Sequence, residues 1–146
     1  ALMQPAEERT LEQQDIVAYA DQQIADAQAA DVWVIGLPMY NFGLPSMLKA
    51  WFDFIARAGV TFRYTEQGPQ GLLGDKKVYL LATRGGQYKD SPADSQIPFI
   101  KTFLNFLGIT DIQVIYAEGL NMGDQIKAQA LSDASVQINQ LTQHAH

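Results

Sequence analysis

The chain of 146 residues contains no cysteine, two histidines, and ten basic residues against sixteen acidic ones. The lack of cysteine excludes a disulfide framework, a thiolate zinc site and a cysteine nucleophile, and it fits a reducing, cytoplasmic location. The formal net charge of −6 disfavours nonspecific binding to nucleic acid and to anionic membrane surfaces. No apolar run approaches the roughly 20 residues of a membrane-spanning helix. The length suits one domain, over residues 1–146.

Side chains that could serve as acids, bases or metal ligands are also scarce. His144 and His146 stand at the end of the chain, and we discount them as bases or ligands. Asp53, Asp90 and Asp94 have no carboxylate partner at a useful spacing, so we predict neither an acid–base pair nor a metal site. The phosphate-binding patterns GxxxxGK[ST] and GxGxxG are absent.

Apolar periodicity predicts helices and strands in alternation. We expect helices over residues 10–29, 46–57, 95–107 and 124–142, core strands over 32–35, 76–83 and 112–117, and a hairpin within 60–73. Thr10 and Ser46 are the expected N-caps of the first two helices, and Gly59 is the expected end of the second. The unbroken apolar run "VWVI" predicts a strand that is buried on both faces. This order is typical of a parallel sheet with right-handed crossovers and helices on both sides, a three-layer α/β/α class.

Three loops follow the three core strands: "GLPMYNFGLP", "TRGGQYKD" and "EGLNMGD". In an open α/β sheet, ligands bind outside the carboxyl ends of the strands. We therefore expect these loops to form the functional edge of the sheet.

The first loop places Tyr40 and Phe42 on either side of Asn41. Aromatic side chains can form walls for a flat heterocycle, and a side-chain amide can read a ring edge because it both donates and accepts hydrogen bonds. The alternative is that Tyr40 and Phe42 only fill the top of the core.

The second loop begins with Thr83, Arg84, Gly85 and Gly86. Paired glycines let the backbone approach a ligand closely, and the backbone N–H groups that they expose can bind negative charge. The alternative is a flexible turn without a ligand.

Several segments together resemble the FMN-dependent NADH-azoreductases, which are flavodoxin-like quinone and azo-dye reductases of bacteria. These segments are "PMYNF", "ARAGVTFRYTEQGPQGL", "TRGG", "FLNFLGITD" and "YAEG", and they extend from about Thr10 to about Ser135. The resemblance implies a flavodoxin-like fold and a homodimer with one FMN per subunit and active sites at the interface. It also implies ping-pong two-electron transfer, in which NADH or NADPH reduces the flavin and a quinone or azo compound reoxidises it.

The resemblance also implies roles for individual residues. No protein side chain is catalytic, because the flavin carries the chemistry. The flavin-binding positions of the family fall on Met39, Tyr40, Asn41, Phe42, Thr83, Arg84, Gly85 and Gly86. The substrate-side aromatics would be Tyr64, Tyr88 and Phe106. Tyr64 would form a lid over the flavin of the partner subunit; alternatively, it packs on its own subunit.

The sequence departs from the family at its beginning. The family binds the FMN phosphate with a serine-rich loop after its first strand, at the N-terminus of its first helix, and this sequence lacks that loop and the first two strands. We therefore expect a segment of a longer polypeptide, in which "VWVIGL" becomes an aggregation-prone edge strand and FMN binds weakly or not at all. A non-catalytic flavodoxin-like binding or regulatory module remains the alternative function.

Overall fold

The computed structural model describes residues 3–143, so both histidines and the two ends of the predicted domain lie outside the described residues. A short 3-10 helix, Ala6–Glu8, precedes the main elements. The helices are α1 (Leu11–Ala29), α2 (Ser46–Ile55), α3 (Gln96–Phe106) and α4 (Asp124–Thr142). The strands are β1 (Val32–Pro38), β2 (Phe62–Thr65), β3 (Gly68–Gly71), β4 (Lys77–Thr83) and β5 (Asp111–Ala117). The predicted alternation of helices and strands is confirmed.

The central sheet is parallel and has the order β1-β4-β5. Val34 of β1 lies opposite Tyr79 of β4, and Leu80 of β4 lies opposite Val114 of β5. Because the three strands run in the same direction, their carboxyl ends meet at one edge, as the sequence predicts. The separate hairpin of β2 and β3 is antiparallel, and it is confirmed too.

The prediction that β1 is buried on both faces is wrong. Trp33, Ile35 and Leu37 are buried, whereas Val32 and Val34 are 50% and 65% exposed. The Trp33 indole donates a hydrogen bond to a carbonyl of α1 and packs edge-on against Trp51 of α2. Helix α4 packs against β5, at the far end of the sheet from β1. Among the described residues, therefore, no helix covers the outer part of β1.

Thr10 is the N-cap of α1, as predicted. Its Oγ1 accepts the Gln13 N–H at 3.2 Å, and the Gln13 side chain accepts the Thr10 N–H at 2.9 Å, which completes a capping box. This reciprocal pair satisfies two backbone donors that a helix N-terminus otherwise leaves free.

α2 begins at residue 46 as predicted, but the cap assigned to Ser46 and the end assigned to Gly59 are both wrong. Pro45 is the N-cap and Ser46 is the first helical residue, because the Pro45 carbonyl already accepts the first hydrogen bonds of the helix. The helix ends at Ile55, four residues before Gly59. The Thr61 hydroxyl donates to the Ile55 carbonyl at 2.7 Å and so satisfies an acceptor that the end of the helix leaves free.

The hairpin is anchored to the C-terminus of α3. The Leu73 N–H donates to the Leu107 carbonyl at 2.9 Å. A Cβ atom on Gly71 would lie 1.9 Å from the backbone nitrogen of Gly108. Only glycine therefore fits at position 71, and the two chains pass in backbone contact.

Candidate functional site

The candidate site is formed by three loops at the carboxyl edge of the sheet: the first loop (39–45), the second loop (84–95) and the third loop (118–123). The second and third loops are joined by backbone hydrogen bonds. The N–H groups of Gly119, Leu120 and Asn121 donate to the carbonyls of Gly86, Arg84 and Gly85, over 2.8–3.1 Å. The two loops therefore form one continuous rim.

The first loop is a tight turn with an unusual backbone. The N–H and C=O groups of Tyr40 and Gly43 bond to each other, and the two residues between them have positive φ angles, 49° at Asn41 and 66° at Phe42. Asparagine tolerates the left-handed region, whereas a bulky side chain such as phenylalanine rarely adopts it. Such strain clusters at functional sites, and both Asn41 and Phe42 are exposed.

A cavity of about 460 Å³ opens between the loops. The Phe42 and Tyr88 rings meet edge-on, with centroids 5.5 Å apart. The cavity is lined by Met39, Asn41, Phe42, Gly85, Gly86, Tyr88 and Asn121. Six of these seven residues are among the predicted site residues. Sequence analysis missed Asn121, although "EGLNMGD" contains it.

Hydrogen-bonding capacity in this cavity is left unused. Within residues 3–143, the Asn41 side-chain amide and the backbone N–H groups of Gly85 and Gly86 have no hydrogen-bond partner. The carbonyls of Gly85 and Gly86, by contrast, accept hydrogen bonds from the third loop. The two consecutive N–H groups of Gly85 and Gly86 are therefore available as donors. Such a pair suits a ligand edge that is negatively charged or bears a carbonyl group.

The other predicted site residues do not line the cavity. Tyr40 is 61% exposed, and Thr83 contributes its carbonyl to the Met39 N–H at 3.0 Å. The Phe106 and Tyr64 rings instead contact Phe62, with centroids 4.6 and 5.5 Å apart. Apart from this contact, the structure leaves most of Tyr64 exposed, at 71%.

Arg84 also lies outside the cavity lining, and its side chain is fully buried. One guanidinium nitrogen, Nη1, binds Asp94 at 2.9 Å and Glu118 at 3.2 Å, and the other, Nη2, donates to the Gln96 side chain at 3.1 Å. Two carboxylates therefore share one arginine, although no carboxylate pair was predicted. Residues 94 and 118 are too far apart in the sequence for their spacing to reveal this.

The Tyr116 ring lies beside this network, 5.2 Å from the Arg84 guanidinium carbon and 4.9 Å from the Lys89 ammonium. Burial raises the pKa of the Tyr116 phenol above its usual range, and the nearby Asp94 carboxylate raises it further. The phenol is therefore held in its neutral form.

Residues 3–143 contain neither a metal-binding cluster nor a membrane-spanning helix. No group of three or more histidine, cysteine or acidic side chains is placed to hold a metal ion. No helix in this part of the chain is both long and apolar enough to cross a bilayer.

Comparison with known proteins agrees with this geometry. Residues 1–141 match a protein family described as having the flavodoxin-like fold. An FMN-dependent NADH:quinone oxidoreductase of Cellvibrio japonicus is 61% identical over 96% of this chain and 69% of its own length. One from Dechloromonas aromatica is 56% identical over 97% of this chain and 71% of its own length. The chain belongs to the flavodoxin-like family of FMN-dependent NADH:quinone oxidoreductases.

Solved structures support the same assignment. A Bacillus anthracis FMN-dependent NADH-azoreductase, determined in complex with FMN, superposes with a TM-score of 0.81 and 30% identity, over 92% of this chain and 66% of the other. A second azoreductase from Bacillus anthracis superposes with a TM-score of 0.79 and 34% identity, over 91% of this chain and 67% of the other. The family's fold is therefore the one that sequence analysis predicts, and this flavodoxin-like chain spans about two thirds of these relatives.

Proposed function

We propose that this chain carries the flavin-ring site of an FMN-dependent oxidoreductase that uses NADH or NADPH to reduce quinones and azo compounds. The observation that carries the proposal is the cavity at the carboxyl edge of the sheet. Its lining combines two aromatic rings with hydrogen-bonding groups that have no partner within residues 3–143. The relatives named above supply the reaction class.

The groups in the cavity match the isoalloxazine ring of FMN. Phe42 and Tyr88 present apolar surface to a flat ring system, and the Asn41 amide can pair with a ring edge that has both donors and acceptors. The Gly85 and Gly86 N–H groups suit the N1–O2 edge, where a reduced flavin carries negative charge. When bound, FMN supplies two-electron transfer between the nicotinamide and the acceptor.

The protein's own contribution is then binding and orientation. Asp94 and Glu118, which belong to the second and third loops, are both engaged by Arg84, so neither is free to act as a general base. Tyr116 stays protonated. This agrees with a ping-pong reaction in which no protein acid or base is required. A cytoplasmic location is part of the proposal, because nicotinamide donors are plentiful there.

The assembly that we propose is a homodimer with sites at the interface. Tyr64 stands on the hairpin with most of its surface exposed and does not line the cavity of its own chain. A second copy could receive it beside the flavin. Sedimentation at several protein concentrations, with Tyr64→Ala as the variant, tests this assembly; a wild-type chain that stays monomeric at all concentrations contradicts it.

The flavin proposal is tested by visible absorbance. We expect concentrated chain to bind added FMN with a shift of the flavin bands, and NADH to bleach them under anaerobic conditions until a quinone is added. Asn41→Ala should weaken FMN binding about tenfold, because one or two hydrogen bonds to the ring are lost.

Asn139→Ala is the matched control, since Asn139 is exposed on α4, away from the three loops. Equal FMN affinity for the two alanine variants contradicts the placement of the ring. Binding without bleaching by NADH favours the non-catalytic module instead.

A further inference from the structure

Arg84 is an unusual residue for the end of a core strand. It directly follows β4, and it is the largest fully buried side chain among the described residues. Burying a charge is costly unless the charge is paired and hydrogen-bonded. Of the three guanidinium nitrogens of Arg84, Nε alone has no hydrogen-bond partner within residues 3–143, and the guanidinium lies near the Tyr116 ring.

Each partner of Arg84 continues to a different part of the candidate site. Gln96 accepts from Arg84 and donates through Nε2 to the carbonyls of Pro38 and Gly43, both at 3.0 Å. Those two carbonyls flank the strained turn of the first loop. Gln96 therefore holds the turn that carries Asn41 and Phe42.

Glu118 connects the same arginine to the second loop. It belongs to the third loop, and its Oε2 accepts the Tyr88 N–H at 2.7 Å and the Lys89 N–H at 3.1 Å. Because these two N–H groups are bound by Glu118, the donors of the second loop that face the cavity are those of Gly85 and Gly86.

Asp94 completes the network at the start of α3. Its Oδ2 binds Arg84 and its Oδ1 accepts the Ile97 N–H at 3.1 Å. This contact fixes the first turn of α3, from which Gln96 projects. A fork-shaped guanidinium can satisfy the three partners together, whereas a lysine ammonium has no such planar geometry.

We propose that Arg84 is a positioning residue that couples the three loops, so that the first loop and the second loop adopt their ring-binding arrangement together. The side chain acts through Gln96 and Glu118 and does not itself contact the flavin. This inference rests on the proposed function and adds to it that the Arg84 network fixes the shape of the cavity before a ligand binds. In a low-dielectric interior such a network is stronger than its separate hydrogen bonds.

The test is amide hydrogen exchange of the full chain without flavin. Gln96→Met breaks the connection at the first loop, and we expect faster exchange at the distant Tyr88 and Lys89 amides. Glu118→Gln should conversely accelerate the Tyr40 and Gly43 amides. We expect changes of roughly ten- to a hundredfold, the effect of losing one hydrogen bond to a charged group. Rates are divided by that of Leu80 in β4, which removes any effect of global destabilisation.

Ser95→Ala is the matched control. The Ser95 hydroxyl donates to the Phe42 carbonyl at 3.0 Å but does not touch Arg84. It should therefore affect the first loop alone. Ser95→Ala should leave the exchange rates of Tyr88 and Lys89, relative to that of Leu80, at their wild-type values. If Gln96→Met leaves these relative rates unchanged as well, the loops are independent and the proposal is wrong.

Arg84→Lys provides a second measurement, since it keeps the charge. It should accelerate both pairs of loop amides and weaken FMN binding; unchanged exchange at both pairs would overturn the coupling. A wild-type chain that binds no FMN would instead overturn the proposed function, and the exchange result would stand by itself.

Discussion

Phe42 offers the sharpest test of the site's backbone. Its φ angle of 66° places a bulky residue in the left-handed region, which costs about 1–2 kcal/mol for any residue with a Cβ atom. Glycine avoids this cost but loses about 0.5–1 kcal/mol to its greater freedom in the unfolded chain. We therefore expect Phe42→Gly to be more stable than Phe42→Ala, by about 0.5–1 kcal/mol.

Loss of the ring itself should destabilise both variants. Phe42 is 50% exposed, so its burial contributes about 1 kcal/mol, half of a fully buried side chain. The edge-on contact with Tyr88 adds roughly 0.5–1.5 kcal/mol. Urea unfolding of the three proteins gives two differences: glycine against alanine reports the backbone term, and wild type against alanine reports side-chain burial and the Tyr88 contact together. Both variants should lose FMN affinity to a similar extent.

Phe99 is the matched control position. It is 43% exposed and lies within α3, at an ordinary helical backbone. There glycine should be less stable than alanine by about 1 kcal/mol, so the order of the two variants reverses between the positions. If Phe42→Ala is as stable as Phe42→Gly or more so, the turn is not strained and the reasoning fails.

Three further predictions follow from the packing, the cavity and the titration of the protein. Thermal unfolding should show that Gly71→Ala destabilises the chain by about 3 kcal/mol or more, because the new Cβ would overlap the Gly108 backbone. Gly36→Ala is the control and should be nearly neutral, since no atom lies within 4 Å of its Cβ position. Riboflavin and FMN should bind the chain with similar, weak affinity in equilibrium dialysis, because the lining residues suit the ring and include no cationic side chain; much tighter FMN binding would show that this chain holds the phosphate. The pKa of Tyr116 is raised in the folded protein. Its contribution to stability is therefore complete below the usual tyrosine pKa of about 10 and is lost as pH rises through the pKa of the folded state. Between about pH 8 and pH 11, urea unfolding should show the wild type losing more stability than Tyr116→Phe, and equal losses contradict this.

The sequence predicted the elements of the fold well, because apolar periodicity and Thr10 capping are local properties. It failed where burial depends on neighbours. The "VWVI" run reads as a doubly buried strand, yet Val34 is exposed because β1 is an edge strand whose outer face no helix covers among the described residues. Ser46 was assigned as a cap from its type alone, and the backbone geometry at Pro45 decided otherwise.

The same division applies to the candidate site. The order of strands and loops is enough to place "PMYNF", "TRGG" and "EGLNMG" at one edge, since parallel strands bring their carboxyl ends together. Sequence alone could not distinguish Gly85, which lines the cavity, from its neighbour Arg84, which turns inward. Adjacent residues at the end of a strand point to opposite sides, and only packing shows which side holds a ligand.

The sequence by itself thus determined the fold class, the family and the three loops that form the edge, because these depend on periodicity and on motifs read along the chain. Only the tertiary structure showed that Phe42 has a positive φ angle and that Gln96 and Glu118 meet at Arg84. The second loop separates residue 84 from residue 96, and α3 and β5 separate both from residue 118. Their contact depends on how those elements pack, which no local pattern encodes.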